Sequence, residues 1–307
     1  MKIALIGQSA FGRAVLDAIL KEGKDTVAGV FCPPDKAGEP PDPVKEAAQA
    51  AGIPCIQFKR MRTPEAIAAF KALSPDLCVM AFVTDIVPMD MINAPRLGTI
   101  QYHPSLLPRH RGPSSINWPI IQGEKETGLT IFWPDAGLDT GPVLLQRRIA
   151  IGPDDTLGTI YFNRLFPMGV EAMAEAIRLV RDGKAPRVMQ DEAQATYEGW
   201  CTDEHAKIDW AKPAQQVYNL IRGCNPRPGA FTTSGGAQLR VFDSELRQGV
   251  AGGGPGSVVG ITPTGISVAA VGGCVLVKRV QAAGSKKIAA AEYAAMSGLK
   301  VGALLGG

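Results

Sequence analysis

The stretch MKIALIGQSAFGRAVLDAILKEG, Met1 to Gly23, opens with a short apolar run, Lys2–Ile6, that ends at Gly7. A segment with helical spacing follows, Ala10–Glu22, in which Phe11, Val15, Ile19 and Leu20 share one side. A buried strand, a glycine turn and an amphipathic helix form the first step of an alternating α/β fold. Working outward, the pattern repeats. Thr26–Phe31 is strand-like, Pro43–Ala51 helical, Pro54–Phe58 strand-like, Pro64–Leu73 helical and Leu77–Phe82 a buried strand. Gly98–Tyr102, Gly128–Trp133 and Val143–Ile149 read as further strands, and a long amphipathic helix covers about Thr156 to Asp182. This alternation predicts a Rossmann-like, mostly parallel sheet with helices on both faces. Ligands of such sheets bind outside the carboxyl ends of the strands.

Composition agrees with a soluble globular protein. The chain has 307 residues, 46 % hydrophobic and 20 % charged, enough for two domains and a sizeable core. No apolar stretch approaches the roughly 20 residues that span a bilayer, and MKIALIG reads as a strand, not a signal peptide. Six scattered cysteines form no CxxC pair, which fits a reducing, cytoplasmic setting. No cluster has metal-ligand spacing. From Ala206 onward there are 11 Lys/Arg and 4 Asp/Glu, a balance of +7. Such asymmetry fits either a polyanion-binding end or a solvated surface.

The helical periodicity fades after Lys184. From about Gln238 short Gly-, Val- and Thr-rich strands follow: Gln238–Phe242, Gly256–Ile261, Gly265–Ala270 and Cys274–Val280. They predict a small, OB-like β-barrel. The boundary is placed so that 1–204 form the α/β domain and 205–307 the barrel.

Two segments carry chemistry. IQYHPSLLPRHRG, Ile100–Gly112, puts His103 directly after a predicted buried strand, before a loop poor as core packing. His110, within that loop, reads as a surface residue. FWPDAGLDTGPVLLQ, Phe132–Gln146, puts Asp139 between two strands, flanked by Gly137 and Gly141. Alone, Asp139 could equally be a turn aspartate. The N-terminal GQSAFG, Gly7–Gly12, lacks the second glycine of a dinucleotide fingerprint, since Ser9 stands there. No nicotinamide cofactor is expected.

Together the two segments resemble the family of formyltransferases that use 10-formyltetrahydrofolate. Against the family pattern Asn-x-His-x-Ser-Leu-Leu-Pro, Arg-Gly, Asp-x-Gly this sequence offers Gln101, His103, Ser105, Leu106, Leu107, Pro108, Arg111, Gly112, Asp139 and Gly141, departing at Gln101. ATYEG at Ala195–Gly199, KIDW at Lys207–Trp210 and NPRPGA at Asn225–Ala230 look like the family's domain junction. PGSVVG at Pro255–Gly260 and the closing GLKVGALLG resemble its barrel. Within the family the resemblance is greatest to the hydrolase domain of the 10-formyltetrahydrofolate dehydrogenases. Their aldehyde-dehydrogenase portion has no counterpart in these residues, so formyl removal alone is implied.

The resemblance implies 10-formyltetrahydrofolate as donor substrate and His103, Asp139 and Gln101 as catalytic residues. It implies substrate contacts from Asp85, Ile86, Val87, Leu138, Ser105 and Arg111. Attack on the formyl carbon makes an oxyanion that needs hydrogen-bond donors. His103 and the Gln101 amide, two positions apart on a strand, project on one face. Asp139 either orients His103 as base or binds the attacking water itself. Gln101 stands where the family has asparagine. Its extra methylene shifts the amide, so His103 and Asp139 are expected to suffice. Water is the first expectation for the acceptor. An amine is the alternative, first that of methionyl-tRNA, then that of a nucleotide sugar. The stretch PPDKAGEPPDP, Pro33–Pro43, lacks the arginines of a tRNA-reaching insertion. The basic C-terminal part argues the other way. A folate-binding sensor without catalysis is a further reading, while DNA and membrane partners are not expected.

Overall fold

Lys2–Gly7 forms the first strand, β1, because every residue after Lys2 is buried, as in a strand covered on both faces. The computed structural model describes residues 1–249 and 252–306. The chain divides into two compact units. One comprises Met1–Gly112, Gly128–Arg148 and Arg164–Tyr197, the other Pro113–Thr127, Ile149–Asn163 and Glu198–Gly307.

The first unit is built on a seven-stranded sheet. After β1 come β2 (Thr26–Cys32), β3 (Cys55–Gln57), β4 (Leu77–Ala81), β5 (Thr99–His103), β6 (Glu126–Phe132) and β7 (Val143–Ala150). Their order is β3-β2-β1-β4-β5-β6-β7. The first five run parallel, and β6 pairs antiparallel with β5. Helices α1 (Ser9–Glu22), α2 (Pro43–Ala50), α3 (Pro64–Ala72) and α4 (Met89–Ile92) join the parallel strands. Alternate residues of β1 serve different faces. Ala4 and Ile6 join Phe70 of α3 and Met91 of α4 in one apolar cluster. On the other face α1 packs on α2 and on the helix Phe166–Arg181, with Phe11 4.4 Å from the Tyr102 ring and 5.6 Å from the Phe166 ring, centroid to centroid. The Rossmann-like, mostly parallel sheet with helices on both faces is the predicted one.

The turn between β1 and α1 is tight because Gly7 lies against β4. A Cβ on Gly7 would sit 2.6 Å from the Ala81 carbonyl oxygen. The Asp42 carboxylate accepts from the Ser9 amide at the start of α1 (2.8 and 2.9 Å) and caps α2 through the Val44 amide. Carboxylates suit helix N-termini, where amide hydrogens lack helical partners.

Several elements differ from the reading of the sequence. The long helix is divided. Leu157–Ile160 is α-helical, Tyr161–Leu165 widens into a π turn, and Phe166–Arg181 resumes the α-helix. Pro167 explains the division, since it has no amide hydrogen to bond back along the helix. Helical order also returns after Lys184, at Ala214–Gly223 and Ala290–Ser297. Both helices are short, ten and eight residues, and the second is alanine-rich with little apolar periodicity.

The C-terminal part has two four-stranded antiparallel sheets. In spatial order the first contains Ser244–Gln248, Gly273–Val277, Gly265–Ala270 and Val258–Thr262. The second contains Ile288–Ala289, Arg279–Ala282, Ala237–Val241 and Ala230–Ser234. The single strand expected at Cys274–Val280 breaks at Lys278 and feeds both sheets. Leu239, Val241, Val268, Val275 and Val280 meet Val217 and Ile221 of the helix in one core. Among the described residues no helix is long and apolar enough to cross a membrane.

Candidate active site

His103 is the last residue of β5, opposite Thr130 of β6, and Gln101 lies two positions earlier opposite Phe132. Because β6 runs against β5, the chain leaves Phe132 heading away from His103. The loop between β6 and β7 turns back and brings Asp139 to it. The His103 Nδ1 and Asp139 Oδ2 atoms are 3.6 Å apart, and both residues are only 6 % exposed. The other imidazole nitrogen, Nε2, lies 2.8 Å from the His110 carbonyl oxygen. A carbonyl only accepts, so Nε2 carries the hydrogen and Nδ1 is the nitrogen left for proton transfer. Asp139 Oδ2 also accepts from the Gly112 amide at 2.8 Å.

The loop carrying His110 and Gly112 is held from all sides. Thr130, fully buried, accepts from the Leu107 amide (3.1 Å) and donates to the Ser105 carbonyl (2.7 Å). Gln146 Nε2 donates to the Leu107 carbonyl (2.7 Å) and to Thr130 Oγ1 (3.0 Å). Thr196 Oγ1 accepts from the His110 amide (2.8 Å), and its carbonyl accepts from the Arg111 amide (3.0 Å). His110 is therefore not the surface residue expected. It is 4 % exposed, and its backbone has φ +56°.

Five non-glycine residues in the turns of this unit hold left-handed backbone: Ser9 after β1, Ser74 before β4, Phe82 after β4, His110 and Asp139. Such conformations cost about 1–3 kcal/mol each and cluster at functional sites. Phe82, bulky and at φ +61°, is the most unusual. The Asp139 loop also requires glycine at 141, where a Cβ would stand 1.8 Å from the Trp133 carbonyl oxygen.

The expected substrate-contacting side chains divide into two groups. Ile86 and Leu138 are 69 % and 60 % exposed, and Phe82, adjacent in the same loop as Ile86, is 44 % exposed. Large apolar side chains left in solvent on two loops are available to a flat ligand. The other four are occupied. Val87 is buried in the apolar cluster with Met80 and Met91. The Asp85 carboxylate accepts from the Met61 amide (2.7 Å) and pairs with Arg60 (3.4 Å). Ser105 is fully buried and donates to the Arg109 carbonyl (2.7 Å).

Arg111 is also fully buried. Its Nε and Nη2 donate to Gln190 Oε1 (3.1 and 2.8 Å), Nη2 and Nη1 to Glu192 (2.6 and 2.9 Å), and Nη1 to Tyr197 Oη (2.8 Å). These contacts use the five donors of a guanidinium. Hydrogen bonding to Glu192 raises the guanidinium pKa further, and the same bond lowers that of the Glu192 carboxyl. Gln101 is half-buried and its amide makes no hydrogen bond to another described residue. Thr130, Gln146, Gln190 and Thr196 went unnoticed in the sequence because each acts through backbone groups far along the chain.

A buried imidazole–carboxylate pair at the edge of a Rossmann-like sheet, with antiparallel sheets following in the chain, is an α/β arrangement suited to proton transfer. The comparisons give the family. The model "Formyl transferase" matches residues 1–177, and "Formyl transferase, C-terminal domain" matches 201–298. The chain belongs to the formyltransferase family. It is 46 % identical over 307 residues to the cytosolic 10-formyltetrahydrofolate dehydrogenase of Xenopus tropicalis, covering 95 % of this chain and 34 % of that protein. The chain thus spans about a third of the length of that relative. It is 39 % identical to the methionyl-tRNA formyltransferase of Trichlorobacter lovleyi, covering 99 % of this chain and 96 % of that one. Among solved structures it resembles WlaRD, a sugar 3N-formyltransferase crystallised with dTDP and 5-N-formyl-THF, at TM-score 0.69 and 18 % identity, covering 93 % and 99 % of the two chains.

Proposed function

We propose that this protein removes the formyl group from 10-formyltetrahydrofolate with water as acceptor, releasing tetrahydrofolate and formate in the cytoplasm. The observation that carries the reading is the buried His103–Asp139 pair, in which one imidazole nitrogen is fixed by the His110 carbonyl and the other faces the carboxylate. Water adds to the formyl carbon, and its proton passes to the pair. The oxyanion takes hydrogen bonds from His103 Nδ1, once that nitrogen holds the proton taken from water, and from the Gln101 amide, which no neighbour occupies. The C–N bond then breaks, and the proton returns to the departing folate nitrogen. Ile86 and Leu138 cover the pterin ring.

The nature of the loop after β2 supports water over tRNA. Between Pro33 and Pro43 it carries Asp35, Lys36, Glu39 and Asp42, a net charge of −2 (one Lys against three carboxylates). Asp42 is turned inward onto Ser9 and Val44. An amine acceptor, first methionyl-tRNA and then a nucleotide sugar, is the second reading, supported by the near full-length match to a methionyl-tRNA formyltransferase.

The test is incubation of purified protein with 10-formyltetrahydrofolate and no added acceptor, measuring tetrahydrofolate and formate. His103→Ala and Asp139→Asn should each lower turnover by at least about 100-fold, and Gln101→Ala by less. Donor binding without turnover in the wild type would reject hydrolysis.

A further inference from the structure

We propose that Gln190 is the positioning residue that sets the Asp139 carboxylate against His103. The inference rests on the reading of Asp139 as a catalytic residue. Gln190 lies between two parts of the site. Its Nε2 donates to two carbonyl oxygens of the catalytic loop, that of Asp139 itself (2.9 Å) and that of Gly141 (2.7 Å). Its Oε1 accepts from Nε and Nη2 of Arg111. Arg111 precedes Gly112, whose amide donates to Asp139 Oδ2. The side chain amide therefore touches both the backbone that carries the carboxylate and the guanidinium beside the amide that binds it.

The need for such a clamp follows from the loop. Asp139 holds left-handed backbone at φ +58°, a conformation that surrounding contacts must maintain. The Gly141 carbonyl fixes one end of that turn and the Asp139 carbonyl its centre, and one NH2 group bonds both. Only an amide does this while also accepting from a cation. Its nitrogen supplies two hydrogens and its oxygen two lone pairs.

Gln190→Glu separates the two halves of this work. The carboxylate keeps the shape and the acceptor for Arg111. It replaces the NH2 by an oxygen that faces two carbonyl oxygens and repels them. Tm should fall only modestly, because the two bonds to the loop are lost but the buried guanidinium keeps its acceptor. The kcat for formyl removal should fall roughly 10- to 100-fold, the scale of an ångström's misplacement of a reacting group. The KM for 10-formyltetrahydrofolate and the binding of unreactive 5-formyltetrahydrofolate should change less than about threefold. A loss of Tm or of folate binding that matched the loss of kcat would mean a merely structural residue and would overturn the proposal.

A second measurement stands free of turnover. The chain has only three histidines, so the ring nitrogen signals of His103 can be resolved by 15N NMR. Gln190→Glu should move the His103 signals in the same direction as Asp139→Asn, with His205 unmoved. Unchanged His103 signals would sink the positioning role whatever the activity. If Asp139→Asn retained full activity while Gln190→Glu moved the signals, the reading of Asp139 would fail and the clamp would stand.

Discussion

At the scale of single residues, Arg111 shows how position decides role. The family resemblance implied a substrate contact for Arg111, yet it is fully buried with protein acceptors for every donor. Breaking such a set leaves polar groups unsatisfied, so Arg111→Met should destabilise the protein by about 3 kcal/mol in urea unfolding. Binding of 5-formyltetrahydrofolate measured on the remaining folded fraction should be nearly unchanged. Glu192, its partner, adds a pH dependence. Its carboxyl is held below the ordinary glutamate value chiefly by the hydrogen bond from Arg111. A depressed carboxylate contributes stability above its unfolded pKa and loses it as pH falls through the folded value. The difference in urea midpoint between wild type and Glu192→Gln should therefore be present at neutral pH and shrink below the ordinary glutamate range. Because Glu192 is largely exposed, added salt should reduce the difference as well. A gap that grew on acidification would show the sign to be wrong.

Among the elements, β6 does more than complete the sheet. Its Thr130 lies opposite His103 and holds the following loop by Leu107 and Ser105. Thr130→Val keeps the shape and removes both bonds together with the one from Gln146, leaving the Leu107 amide without this acceptor. The expected cost is about 1–3 kcal/mol of stability, with kcat reduced by more than KM is raised because His110, which fixes His103, belongs to the same loop. Equal effects on both constants would place the loop in substrate binding instead. The strands of the sheet were legible in the sequence because apolar runs and glycine turns are local signals. That His103 and Asp139 would lie together was legible through their motifs. The clamps at Thr130, Gln146, Gln190 and Thr196 were not, since each is a long-range bond between a polar side chain and distant backbone. Burial of His110 was hidden for a related reason. Its neighbours Arg109 and Arg111 made the loop look solvated, although Arg111 is neutralised internally. Pro167 was visible, but a proline in the first turn of a helix and one inside a long helix look alike until the π turn is seen.

For the molecule as a whole, the distribution of charge bears on the acceptor. The C-terminal excess of basic residues suggested a polyanion in the sequence, but many of those cations have partners within their own unit. Arg240 pairs with Asp203, Lys278 and Arg247 with Glu245, and Arg279 with Asp243, while Lys287 sits 3.4 Å from the Phe242 ring centre. Arg222 is buried, donating to Asn219 and to the Gly152 and Asp155 carbonyls. Cations satisfied by their own chain release few counterions to a nucleic acid, and counterion release supplies most non-specific affinity. Two results should follow. Formate release at saturating 10-formyltetrahydrofolate should change less than about twofold between about 50 and 200 mM salt, where a protein making several phosphate contacts loses orders of magnitude in tRNA affinity. Adding deacylated tRNA at micromolar concentration should leave that rate unaltered, and methionyl-tRNA should gain no formyl group. Inhibition by tRNA that salt relieves, with formyl appearing on the methionyl amine, would transfer the assignment from water to tRNA and leave the His103–Asp139 chemistry as it stands, because only the nucleophile differs between the two reactions.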